Sequence, residues 1–109
     1  MAWKVKFFQT PRGDNSVKDF IQEQNEATYA KILLSIKLLQ DNGPFLKPPY
    51  IKKLQNKLYE LRISGKIAIR IFYTLHNNEY YLLHAFKKKT DKIPKRELDL
   101  AKKRYEAIL

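Results

Sequence analysis

Guanidinium groups, ammonium groups and a few titratable rings are the side chains in this sequence best suited to chemistry. Arg62 and Arg70 lie inside two stretches of branched and aromatic residues, "LYELRI" and "IAIRIFYTL". Lys87, Lys88 and Lys89 close a third stretch, "YYLLHAF", and Lys92, Lys95 and Arg96 crowd around Pro94. The last group is the unexpected one. A helix opens near Pro94 by its pattern, and a helix N-terminus already carries partial positive charge that favours anions. Side chains placed there either splay into water or surround something anionic. Phosphate is the anion they suit, because guanidinium binds it in a planar two-pronged way and lysine binds it as a point charge.

RNA cleavage is a reaction that such a set can support, since the substrate brings its own nucleophile, the 2′-hydroxyl. The protein must align that oxygen with phosphorus, stabilise the added negative charge and move two protons. Arg70, Arg62, Lys88 and Lys89 suit the charge. Tyr73, His84 or a lysine among other lysines suits the protons, and the choice among them stays open. Phe72, Tyr73 or Tyr81 can stack an unpaired base. Lys52, Lys53, Lys57, Lys87 and Lys92 add contacts to a polynucleotide backbone. Each residue also has a plainer reading. Arg62 can pair with Glu60 or Glu79 across a sheet, the lysine run can be a solvated strand end, and His84 can be a hydrogen-bonded core group. No acid cluster or histidine pair has metal-ligand spacing, and the scattered glycines form no phosphate loop. No metal or cofactor is expected.

The charge is uneven along the chain. The net value is +11 over 109 residues. Residues 1–44 carry six basic and five acidic side chains, residues 45–73 carry seven and one, and residues 87–104 carry nine and three. A surface polarised in this way suits nucleic acid, an acidic protein or an anionic membrane face. With 44% apolar and 13% aromatic residues the composition is that of one globular domain, covering residues 1–109. No apolar run approaches a membrane span, "MAWKVKFFQT" lacks the apolar core of a leader, and there is no cysteine. A cytoplasmic location without membrane association is therefore expected.

Period-2 alternation makes "WKVKFF" a half-buried strand. A short helix capped by Asp14 or Ser16 should carry Val17, Phe20 and Ile21, and a longer one the stripe Tyr29, Ile32, Leu33, Ile36 and Leu39, ended by Gly43 and Pro44. Residues 44–57 read as a basic, proline-containing loop. Three strands follow, separated by "SGK" and "NN" turns, and residues 94–109 form a last helix. The predicted class is α+β in the order β-α-α-β-β-β-α, an antiparallel sheet with helices packed on one face. Tyr59, Leu61 and Ile63 share a side with Ile67, Ile69, Ile71 and Tyr73, so Arg62 and Arg70 emerge together on the open side. On this reading Arg70→Ala removes activity and leaves melting unchanged.

The segments "LYELRI", "IAIRIFY", "LLHAFKKKTDKIPKREL" and "DLAKKRYEAIL" resemble the RelE/HigB toxin superfamily, in particular its phage-derived-protein branch. The resemblance runs from about Leu58 to Lys103, and "LHAFKKKTDKIP" carries most of it. It implies a RelE/ParE-like fold and the toxin of a type II toxin–antitoxin system that cleaves mRNA on the ribosome. The implied partner is a helix-turn-helix antitoxin of the HigA kind. Arg70 matches the family's phosphate-contacting arginine, Arg62 a basic position on the preceding strand, and Lys88 and Lys89 the paired lysines of the branch. The last helix lacks the early tyrosine of better-known relatives, since Tyr105 comes late. Two other functions fit the same residues: a ParE-like gyrase poison, and a basic nucleic-acid-binding module without catalysis.

Overall fold

The computed structural model describes residues 2–109. Five strands form one sheet: β1 (Lys4–Phe7), β2 (Ile51–Gln55), β3 (Leu58–Ile63), β4 (Ile69–His76) and β5 (Glu79–Lys87), in the spatial order β1-β5-β4-β3-β2. Three helices accompany them: α1 (Ser16–Gln22), α2 (Glu26–Asn42) and α3 (Lys95–Ala107). The class is α+β, as expected. The last three strands make the expected antiparallel meander, and Asn77 and Asn78 both take positive φ in the tight turn between β4 and β5.

The sheet is nevertheless mixed, because β1 runs parallel to β5, with Lys4 opposite Glu79 and Phe7 opposite Leu82. Alternation in "WKVKFF" identifies a strand but carries no information on its direction. The chain between them, through α1, α2 and the other three strands, supplies the long connection that a parallel pair requires. A second correction falls in residues 44–57, where β2 pairs with β3. Its "IKKLQ" buries only Ile51 and Leu54, and only partly. Lysine-rich sequence of this kind is what a sheet edge tolerates, since exposed charge discourages further pairing.

The helices do not share one face. Val17 and Ile21 of α1 and Ile32, Ile36 and Leu39 of α2 pack on the side formed by Leu61, Ile71 and their neighbours. On the opposite side α3 lays Leu98, Ala101 and Tyr105 over Leu58, Phe72, Leu83 and Phe86. The expected open face is therefore largely covered. Burying such a side chain is worth about 1.5–3 kcal/mol, and the reverse side of the sheet carries four of them.

Local signals explain the ends of the helices. Asn15 caps α1 by accepting from the Lys18 amide at 3.2 Å, in place of the expected Asp14 or Ser16. Asn25 caps α2 at the Thr28 amide, 2.9 Å away. Gly43 closes α2 at φ 53°, where its amide donates to Leu39 and the Trp3 indole leaves no room for a Cβ. Along α2, Thr28 is buried with Ile32, Ile36 and Leu39, while Leu33 is exposed.

Candidate nucleic-acid interface

Strand register puts the functional side chains in rows. Lys52, Glu60, Phe72 and His84 are aligned across four strands, and Arg62, Arg70 and Phe86 form the next row. All project to the α3 side by parity with Leu58 and Phe72. The two arginines do meet, as expected, but Glu60 stands between them. Arg62 Nε donates to Glu60 Oε1 at 3.0 Å, and Arg70 Nε lies 3.6 Å from the same oxygen. The carboxylate is 1% exposed, the Arg70 side chain 10% and the Arg62 side chain 32%. The pairing of Arg62 with Glu60, the plainer alternative for this residue, is thus present. Glu79 instead holds Lys4 and Lys6 at the far edge, at 3.5 and 3.1 Å.

One carboxylate facing two guanidiniums leaves one positive charge over. Arg70 Nη1 donates to the Ile69 carbonyl at 3.0 Å. No hydrogen bond to an acceptor among the described residues engages Arg70 Nη2 or either Nη of Arg62. Glu60 therefore hydrogen-bonds Arg62 through Nε and pairs with Arg70 by charge alone, leaving Arg70 Nη2 and both Nη atoms of Arg62 unengaged. Burial pulls the Arg70 guanidinium below its ordinary pKa; Glu60 opposes this, and the charge on Arg62 adds to the lowering. Glu60 Oε2 is buried without a donor, and Arg70 Nε lacks a well-formed hydrogen bond.

The cations predicted to join them divide by parity. Lys52 lies opposite Glu60 and shares its side. Lys88 donates its amide to Ala68 at 2.9 Å and continues the alternation from Phe86 to the same side. Lys87 lies opposite Ile69 and Lys53 opposite Tyr59, so both belong to the other side. Alternation assigns Lys89 there too. Lys57 sits in the β2–β3 turn with φ 69°, at the opposite end of β3 from Arg62, and Lys92 is exposed in the connection to α3. The sheet end bearing Arg62, Arg70 and Lys88 is where the lysine run leads into α3.

Three ring assignments change. Phe72 is completely buried and cannot stack a base as it stands. Tyr73 projects to the α2 side, stacked on Tyr59 at 5.6 Å and edge-on to Tyr80 at 5.6 Å. Burial, reinforced by Tyr80 and Tyr59, pushes its hydroxyl far above the usual tyrosine pKa. It does not face the arginines and is not a proton carrier for them. His84 is fastened beneath α3, with Nε2 3.3 Å from Glu97 Oε1 and its ring stacked on Phe86. A β-bulge at Leu83 frees that residue's carbonyl, which accepts from Arg104 Nη1 at 2.8 Å. His84 and Leu83 together tie β5 to α3, a role that the isolated "LLHAF" does not reveal.

This tie is pH-sensitive. Burial lowers the His84 pKa below its ordinary value of about 6.5; Glu97 opposes this, and Arg104 adds to the lowering. Phe72 and Phe86 supply the remaining ring neighbours. Since the unfolded chain binds this proton more readily, the stability contribution is full above pH 6.5 and is lost as pH falls from there toward the folded-state value. Urea unfolding between about pH 7.5 and 5.5 should show falling stability, and His84→Gln should flatten that slope. An unchanged slope in the variant assigns the effect elsewhere.

The arrangement can grip a phosphodiester through the outer Nη edges, with Lys52 and Lys88 alongside. Of the predicted proton carriers, Tyr73 lies on the other side of the sheet, while lysines and His84 share the arginine side, His84 tied there to Glu97. Glu60 is the residue whose importance the sequence understated: it appeared there as a partner for Arg62 alone, and the cross-strand register brings Arg70 to it as well. No helix among the described residues is long and apolar enough to cross a membrane. No curated protein matches the chain. The family profile described as "Phage derived protein Gp49-like (DUF891)" matches residues 19–106, from within α1 almost to the end of α3. The chain therefore belongs to the Gp49-like family of phage-derived proteins, within the RelE/HigB-like toxin superfamily.

Proposed function

We propose that this chain is the toxin of a type II toxin–antitoxin system and that it cleaves mRNA on the ribosome. Family membership is consistent with such a toxin. The observation carrying the chemical part is the set of unengaged outer donors, both Nη atoms of Arg62 and Nη2 of Arg70, on two guanidiniums that face one carboxylate at a cationic sheet end. Their Nη donors suit a scissile phosphate, whose negative charge grows as the 2′-oxygen attacks phosphorus and the bond to the 5′-oxygen breaks. The proton leaves the 2′-oxygen and another arrives on the 5′-oxygen, with Lys52 and Lys88 as the side chains available beside the arginines. Ribosome and mRNA are the working partners, and a helix-turn-helix antitoxin is the restraining one.

The burial of Phe72 and Tyr73, with His84 held by Glu97, favours a second reading. With those rings out of reach, the same surface could bind nucleic acid or block gyrase without cutting RNA. Induction followed by primer extension on a translated message separates the two. Cuts that appear within the translated frame, and vanish when its start codon is removed, are expected. Intact message with trapped gyrase–DNA complexes would replace the ribonuclease by the gyrase poison. Intact message with RNA binding alone would leave the non-catalytic module.

A further inference from the structure

Three tyrosines meet on the face of the sheet opposite the arginines. Register sets Tyr59 beside Tyr73, where the rings stack, and sets Tyr80 diagonally across from Tyr73, where they meet edge-on at 5.6 Å. With Leu46, Ile51 and Leu75 they line a cavity of about 130 Å³ against the turn that follows α2. Tyr73 is 4% exposed and Tyr80 3%, yet no hydrogen bond among the described residues engages either hydroxyl. Neither belongs to the fully buried polar atoms left without a partner, which are Glu60 Oε2, Arg70 Nε and Thr74 Oγ1. Both hydroxyls therefore reach open space, and the cavity is the space that the two residues share. Phenylalanine would fill the same core without stranding a polar group. Burial raises both hydroxyls above the usual tyrosine range, Tyr80 to about 12 with Tyr59 adding to the rise, so both remain proton donors at neutral pH.

We infer that this cavity binds a small neutral aromatic molecule, one ring in size, whose acceptor oxygen takes hydrogen bonds from Tyr73 and Tyr80. An apolar cavity of about 150 Å³ holds one benzene ring, so the volume here admits one ring and little more. Tyrosine faces and edges favour a stacked or edge-on aromatic neighbour. No charged side chain of the described residues lines the cavity, so an ion entering it would lose hydration without meeting a counter-charge. Water would satisfy the hydroxyls but would face Leu46, Ile51 and Leu75 on its other sides. Apolar walls with a few convergent polar groups are the usual make-up of a small-molecule site. The cavity and the arginine cluster lie on opposite faces of β3 and β4, so its occupant does not depend on the ribonuclease reading.

Benzamide is the probe, added to the full chain beside three controls: toluene lacks the acceptor, cyclohexanecarboxamide lacks the aromatic ring, and benzoate is charged. Benzamide should bind with a Kd of about 1 mM, the strength open to so small a ligand, and should raise the melting temperature. Amide shifts should centre on Tyr59, Tyr73 and Tyr80. Emission from Trp3, the one tryptophan of the chain, should change as well, since its ring meets Tyr80 edge-on at 5.9 Å. Each control should bind several-fold more weakly. Tyr73→Phe with Tyr80→Phe keeps both rings and breaks no hydrogen bond of the fold, so the variant stays folded. It should weaken benzamide about tenfold and leave toluene unchanged. Toluene bound as well as benzamide would reduce the site to an apolar void, tighter benzoate would make it an anion site, and either result overturns the proposal. Undiminished benzamide binding by the double variant, shifts centred away from the tyrosines, or no response up to the solubility limit of benzamide would do the same. So would N-acetylphenylalaninamide bound in preference to benzamide, which would make the cavity a socket for a partner protein's side chain.

Discussion

Arg70→Ala is expected to unfold the protein at modest temperature, and with it to abolish cleavage. Arg70 is one of two cations facing a carboxylate that is 1% exposed, and it is itself nearly buried. Its removal leaves Glu60 with the more exposed Arg62 as sole counter-charge and empties a buried, hydrogen-bonded site, at a cost of about 1–3 kcal/mol. For a domain of this size that corresponds to a melting temperature lower by roughly 5–20 °C. This reverses what the sequence suggests, namely a silent but fully stable variant. The difference lies in Glu60, which makes the arginine structural and, on the proposed reading, functional at once. The two roles can be separated. In Glu60→Gln with Arg70→Met the buried charges are removed together, a change that buried pairs often tolerate. Calorimetry should show most of the lost stability restored, while primer extension still finds no cuts. If Arg70→Ala alone melts like the wild type, Arg70 is not held as described, and the geometry proposed for phosphate binding loses its support.

The residues that were legible in the sequence are those whose role depends on near neighbours. Alternation alone assigned Glu60, Arg62, Arg70 and Phe72 to one side of the sheet and Tyr59, Leu61, Ile71 and Tyr73 to the other, as found. The paired asparagines announced their turn because few residues accept positive φ, and Gly43 announced the end of α2 for the same reason. What remained hidden depends on distant parts of the chain. Parity cannot say which side α3 will cover, although Phe72 and Phe86 on the arginine side were a usable signal: two large rings on a face assumed to be open. It also does not report the bulge at Leu83, which needs one extra residue in β5 relative to β4 and is visible only in the ladder. The strand within "IKKLQ" was masked by lysines suited to an edge, and the direction of β1 by the symmetry of its alternation.

Tyr73 shows how this limit acts on a functional assignment. Its parity already opposed that of Arg70, so the strand pattern argued against it as a proton carrier even before its neighbours were known. A tyrosine near arginines in sequence is a different matter from one near them in space, and Tyr59 and Tyr80 occupy the space around this one. Candidates for proton transfer are thereby reduced to side chains on the Arg62 side, which makes the lysines there and His84 worth testing after the arginines.

Arg62→Ala should be the cleanest separation of function from fold. Its side chain is 32% exposed, and Arg70 remains within 3.6 Å of Glu60 when it is gone. Losing a hydrogen bond to a charged group costs about 1.5–3 kcal/mol, which a domain stable by about 5–15 kcal/mol survives folded. Cleavage, by contrast, should fall about 100-fold or more, the usual effect of deleting one donor to a transition-state anion. Arg62→Lys should recover only part of this, because an ammonium restores charge without the planar pair of donors. RNA binding measured against salt should lose about 0.7 of a unit of slope in Arg62→Ala, as for one phosphate contact on a single strand, and should keep it in Arg62→Lys. Full cleavage by folded Arg62→Ala would mean that its outer Nη donors do not serve the reaction. Full recovery by lysine would mean that charge alone is required there, and that the hold of Glu60 on the Nε atom matters for stability and not for aim.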